Sequence, residues 1–215
     1  MRYTKIIFWA LVLFGVGILM AAFVAAERDS FATKQVKHYL AIQRLGEIAR
    51  IKHSHSALHT SYARQARSDG NYAAEQLFRT IAFSERVQCR ACERAIHNLG
   101  GEVAKPIALE PKRATTADNI AAAISLKHRH RTTKSYPLIL RSIASKNRYV
   151  TRIMVWCDAN DTHQIALLKA AATTADTIAT KSFEVCPTCG YISQQEPSTP
   201  ICPQCRTAAT AFVRF

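Results

Sequence analysis

The feature that most constrains this chain is a pair of cysteine turns near its C-terminus. Cys186-Pro-Thr-Cys189 and Cys202-Pro-Gln-Cys205 are separated by residues 190–201. Two such turns brought together form a tetrahedral sulfur cage, a geometry that iron and zinc both accept. Gly190 follows the first turn, where the chain must reverse so that backbone N–H groups can point at sulfur. From Phe183 onward the composition shifts to Cys, Pro, Gly and Thr. A tail this small does not fold on burial alone, so a metal must supply the missing stability. Two disulfides are the competing reading. Sulfur chemistry leaves iron, a one-electron carrier, and zinc, a structural clip, both open.

Ahead of the tail the pattern is helical. Leu40, Ile42, Leu45, Ile48 and Ile51 recur at helical spacing within a helix expected over 31–66, which Ser68-Asp69-Gly70 stops. A second helix is expected from Tyr72 to Leu99, with Leu77, Phe78, Ile81, Glu85, Gln88 and Cys92 along one face. Gly100 and Gly101 end it, and Pro106 and Pro111 mark a loop. Thr115 or Thr116 caps a third helix with Asp118 in its first turn, and Pro137 kinks it or starts a new segment. After a turn at 146–148, a fourth helix is expected over 149–179. Four helices, two short turns and a longer crossover give a four-helix bundle of ferritin-like connectivity.

The N-terminus carries its own signal. Arg2 and Lys5 precede an uncharged apolar run from Ile6 to Ala26, closed by Glu27-Arg28-Asp29. About 20 apolar residues span a bilayer as a helix. The run is therefore expected to be a membrane anchor, with the body exported to the periplasmic or extracytoplasmic side. Val24-Ala25-Ala26 offers the alternative of a cleaved signal. The formal net charge is +14. It suits docking to an acidic protein, a membrane redox complex or anionic lipid. No nucleic-acid motif accompanies the scattered basic residues, so nucleic acid is not an expected partner.

A bundle followed by this knuckle resembles rubrerythrin. Tyr62 to Gly70, Leu77-Phe78-Arg79, Ser84-Glu85, Leu99-Gly100-Gly101, Asn119-Ile120, Ser135-Tyr136-Pro137 and Trp156 carry the bundle part of the likeness. Cys186-Pro-Thr-Cys189-Gly-Tyr191 and Cys202-Pro-Gln-Cys205 carry the rubredoxin-like part. The resemblance implies a homodimer, and a carboxylate-rich di-iron centre in the bundle that reduces peroxide with electrons from the tail. Hard anionic oxygen ligands would neutralise and bridge the two irons.

This chain departs from that pattern at most of the implied ligand positions. The first glutamate falls at Lys52. Glu85 is kept, but the histidine after it is Gln88. Two further glutamates fall at His128 and Arg131, or at Lys127 and His130, depending on where one inserted residue lies. The last glutamate falls at Asn160, beside Asp161, and its histidine is His163. Cations at these places repel metal ions. A working di-iron centre and an active peroxidase are therefore not expected, and Glu85 is expected to pair with Lys52 or Arg131. The histidines His53, His55, His59, His128, His130 and His163 offer a nitrogen-rich alternative, with Glu85, His163 and His128 as a candidate residual site. Cys89, Cys92 and Cys157 read as core packing, with a redox pair or third metal site as the functional alternative.

The expectation is thus a mainly α chain: an anchor over 1–30, a ferritin-like bundle over 31–180 and a rubredoxin-like domain over 181–215. Cys186, Cys189, Cys202 and Cys205 are expected to hold one iron, or zinc. The implied role is electron transfer with a membrane redox partner, or a non-catalytic subunit with a structural metal.

Overall fold

The computed structural model describes residues 2–103, 114–144, 147–173, 182–194 and 200–215. Helix α1 runs Arg2–Ser68, α2 Tyr72–Asn98, α3 Thr116–His130, α4 Tyr136–Ala144 and α5 Arg148–Thr173; a π-helical turn, Arg131–Ser135, joins α3 to α4. A three-stranded antiparallel sheet follows, with β1 Phe183–Val185 between β2 Ile192–Gln194 and β3 Val213–Arg214. The expected loop at Pro106 and Pro111, the turn at Lys146 and residues 174–179 of the expected fourth helix lie outside the described residues.

The N-terminal expectation needs correction. Among the described residues no helix is long and apolar enough to cross a membrane. The apolar run is not a separate element, because it continues without a break into the polar remainder of α1. The anchor is withdrawn, and with it the exported, membrane-bound location that rested on it.

The helix ends follow the local chemistry. Gly70, at φ 74°, takes the left-handed conformation that closes α1, and Asn71 N–H reaches back to Ala66 C=O at 2.8 Å. Asn71 then caps α2, its side chain accepting from Ala74 N–H. Thr115 and Asp118 form a reciprocal capping box on α3. Asp69 ties the end of α1 to the start of α3 by accepting from the backbone and hydroxyl of Thr116. Pro137 is the second residue of α4, directly after the π-helical turn, where the sequence marked a kink or a new segment.

The core has two apolar halves. Ile42, Leu45, Ile48, Ile96, Leu138, Ile153 and Met154 fill one. Leu58, Leu77, Phe78, Ile81, Ile120 and Leu168 fill the other, joined by Phe183, Val185 and Ile192 of the sheet. The tail is therefore part of the bundle's packing. On α1, α2, α3 and α5 the residues between these halves are buried and polar: Lys52, His55 and His59 on α1, Ser84, Glu85 and Gln88 on α2, Lys127 on α3, and Asn160, Asp161 and Gln164 on α5. This polar layer crosses the middle of the bundle, where carboxylate bundles build their metal centres.

Candidate metal centre

In the tail, Gly190 N–H bonds to Cys186 C=O at 3.0 Å and Cys186 N–H to Tyr191 C=O at 2.9 Å, closing the first cysteine turn. The second turn repeats it: Arg206 N–H bonds to Cys202 C=O at 3.0 Å and Cys202 N–H to Thr207 C=O at 2.7 Å. Gly190 and Arg206 hold equivalent places, and both have positive φ, 81° and 71°. Gly190 has a second constraint. A Cβ there would lie 2.9 Å from the Ser84 carbonyl oxygen, so the turn rests directly against α2.

The four cysteine sulfurs converge, all within 4.8 Å of one another. Cys186 and Cys205 are 3.5 Å apart and Cys189 and Cys202 3.7 Å apart, too far for the ~2.05 Å of a disulfide. All four are free thiols. Hydrogen bonding from the Cys189 thiol, then from the backbone of Cys189 and Thr188, draws the Cys186 thiol down to about 5. Cys189 is pushed far up by its bond to Cys186 and by burial, although Tyr191 N–H points at its sulfur. Burial raises Cys202 to about 11, against hydrogen bonds from the backbone of Cys205 and Gln204. Four soft donors at this spacing, with N–H groups already aimed at three of them, fit a tetrahedral thiophilic metal.

The polar layer of the bundle is built differently. One ionic residue from each main helix meets at its centre. Lys127 Nζ lies 2.6 Å from Glu85 Oε1 and 2.8 Å from Asp161 Oδ1. Lys52 Nζ lies 2.7 Å from Asp161 Oδ2 and 3.4 Å from Glu85 Oε2. Each carboxylate thus bridges both ammonium groups, and the side chains are at most 3 % exposed. Burial would lower the Lys52 pKa, but Asp161 and Glu85 more than offset it and hold it above the usual value. Burial would raise Asp161, but Lys127 and Lys52 hold it below the usual carboxylate range. Two cations and two anions neutralise each other, which is the condition for burying charge at all.

His55 borders this square, with Nδ1 3.8 Å from Glu85 Oε2. Its Nε2 meets His130 Nδ1 at 2.8 Å, and the two rings stack. Burial and then Lys127 push His55 well below its ordinary value and His59 to about 3. His55, Glu85 and Asp161 have ligand-type atoms within 4.8 Å of one another. Two ammonium groups stand among those atoms, so a metal ion entering there would face two positive charges at contact distance.

Of the residues singled out in the sequence, Lys52, Glu85, Lys127 and Asp161 are brought together, and the Lys52–Glu85 pair forms. Arg131 pairs instead with Asp158 at 3.0 Å. His128 and His53 are exposed. His163 stacks on Tyr191 beside the tail, away from the square. Asn160 donates to Cys189 C=O at 2.7 Å, leaving the inward place to Asp161. Gln88 donates to Ser84. Cys92 hydrogen-bonds Cys157, and this with burial keeps its thiol neutral; burial likewise raises Cys89 to about 12. Among the described residues these three form no metal-ligand cluster.

Comparison with solved structures agrees with this architecture. Fully reduced, all-ferrous nigerythrin superposes with a TM-score of 0.74 at 18% identity, covering 81% of this chain and 86% of that one. Mixed-valent nigerythrin gives 0.73 at 18% identity, with the same coverage. The chain has a rubrerythrin fold. An open-pore ferritin from Archaeoglobus fulgidus matches the bundle more distantly, at TM-score 0.56 and 14% identity, covering 65% of this chain and 87% of that one. No protein-family model and no curated protein matches the sequence. The rubrerythrin fold is thus carried here by a chain whose mid-bundle layer is a lysine–carboxylate square.

Proposed function

We propose that this protein is a one-electron carrier in which Cys186, Cys189, Cys202 and Cys205 hold a single iron, on a bundle that holds no di-iron centre. The observation that carries the second half is the square. Lys52 and Lys127 place two ammonium nitrogens between the carboxylates of Glu85 and Asp161, the role two metal cations play in a carboxylate-bridged centre. Peroxide reduction at that layer has no metal to act on. The first half is supported by the convergent sulfurs, the aimed amides and a fold shared with the nigerythrin solved in its all-ferrous state. Bound iron would supply a ferric/ferrous couple. The chain's own part is to hold four sulfurs rigidly, with three of the four cysteines buried and Cys205 partly exposed.

An electron carrier needs a partner, and an acidic protein fits this one. Arg64, Arg67, Arg79 and Arg86 line a cleft of about 300 Å³ between α1 and α2, with Glu75 the only carboxylate residue among its lining side chains.

The test is metal analysis with an absorption spectrum on the same sample. About one iron per chain with a reducible thiolate-to-iron spectrum supports the proposal. About three irons would restore a di-iron reading. Zinc alone would make the knuckle a structural clip and the protein an accessory subunit.

A further inference from the structure

We infer that the bundle serves the knuckle as a tuning clamp, with Ser84 setting its reduction potential through a single peptide group; this rests on the knuckle holding iron, as proposed above. Ser84 Oγ accepts from Gln88 Nε2 at 3.0 Å and from Gln164 Nε2 at 2.9 Å. A hydroxyl has two acceptor positions and one proton. With both acceptor positions filled, the proton goes to the Gly190 carbonyl oxygen, 2.5 Å away. That carbonyl belongs to the Gly190–Tyr191 peptide, whose N–H points at the Cys189 sulfur. The result is one chain, from two buried amides through Ser84 and one peptide to a ligand sulfur.

Hydrogen bonds in such a chain polarise one another. Donation to the carbonyl makes the peptide N–H a stronger donor, and a stronger N–H···S bond stabilises negative charge on the sulfur. The cysteine sulfurs carry more negative charge when the centre is reduced, so the chain favours reduction and raises the potential.

The polar layer explains why Ser84 is so firmly placed. Ser84 is followed by Glu85, and Asn160, which holds the neighbouring Cys189 carbonyl, is followed by Asp161. On both α2 and α5, one residue is locked into the square and the one before it reaches the knuckle. The square fixes the rotation of the two helices, and that rotation aims Ser84 and Asn160. Ser84 is a positioning residue, acting on a sulfur through the Gly190–Tyr191 peptide.

The experiment is spectroelectrochemical titration of the full-length, iron-loaded protein, comparing wild type with Ser84→Ala, Ser84→Thr, Ser84→Cys and Gln76→Ala. Gln76 also ties the tail to the bundle, donating to the Phe215 C=O at 2.8 Å, and no sulfur-bound peptide lies on that path. Ser84→Ala is expected to disfavour reduction about threefold to tenfold, a fall of ~30–60 mV at 59 mV per tenfold for one electron. Ser84→Thr, which keeps the donor, is expected to restore the wild-type potential, and Gln76→Ala to leave it unchanged. Ser84→Cys keeps the shape with a weaker donor and gives a smaller fall, so it serves if the alanine variant does not load iron. A wild-type potential in Ser84→Ala or Ser84→Cys would overturn the inference. So would an equal fall in Gln76→Ala, which would reduce the effect to loosened docking. Failure of wild type to bind iron would instead defeat the proposed function itself.

Discussion

Removing one cation from the square is the most direct probe of the bundle. Lys127 is fully buried, and its two ion pairs are 2.6 and 2.8 Å long. At an effective dielectric of ~20, each attraction is worth about 6 kcal/mol before desolvation. Desolvating an ammonium group takes back several kcal/mol. Lys127→Met would leave two buried carboxylates to share Lys52, and truncating one partner of such a group costs about 3–5 kcal/mol. The pH dependence gives a sharper test. In the wild type Asp161 is held below its usual range, so its contribution is complete above about pH 4 and is lost only in stronger acid. In the variant, burial is no longer fully offset, and the folded state takes up a proton as pH falls. The stability gap between wild type and variant should therefore narrow between pH 7.5 and 5.5. Urea unfolding followed by far-ultraviolet circular dichroism at both pH values measures it. A gap under about 1 kcal/mol at pH 7.5, or one that widens on acidification, would refute the charge-balance reasoning.

Three further outcomes follow from the same geometry. The double variant Lys52→Glu with Lys127→Glu replaces the two ammonium groups by carboxylates beside His55 and His130, and should take up about two divalent ions per chain in the bundle, measured by elemental analysis. His55 and His59 fold as neutral groups with lowered pKa values, so the unfolded chain binds more protons below about pH 6.5. Stability should accordingly fall on acidification, by about 4 kcal/mol between pH 7 and 5 for the two together, and substituting His59 by Gln should flatten that slope in urea titrations. Arg206→Gly should relieve the left-handed backbone of the second cysteine turn, which costs a non-glycine residue about 1 kcal/mol, and should raise the urea midpoint without changing the absorption spectrum.

The tail was readable because its chemistry lies in spacing: two CxxC turns and Gly190 require no tertiary knowledge. The stops at Gly70 and Gly100 were readable for a similar reason, since both residues adopt the positive φ that closes a helix. The polar layer was only half readable. Lys52 and Glu85 follow from counting along uninterrupted helices. On the third bundle helix counting fails, because the π-helical turn Arg131–Ser135 absorbs an extra residue, and a one-residue slip rotates a side chain by about 100°. That slip separates the buried Lys127 from the exposed His128. The same ambiguity divides Asn160 from Asp161. Gln164 carried no sequence signal and Ser84 entered only through the family likeness, since the role of a serine or glutamine on a helix is set when the tail folds against it. The apolar N-terminal run misled because hydropathy read alone separates it from the helix it continues.

Phe183, Val185 and Ile192 lie at the sheet's inner face and complete the half of the core around Phe78 and Leu168. A metal bound by the four thiolates would brace the tail's shape, and with it the placement of those three side chains against the bundle. Occupancy and folding are then linked quantities: a ligand bound by the folded tail stabilises the packed bundle as RT ln(1 + [L]/Kd). A metal held by the four cysteines would thereby steady the bundle from a distance, through a layer of hydrocarbon that touches no metal.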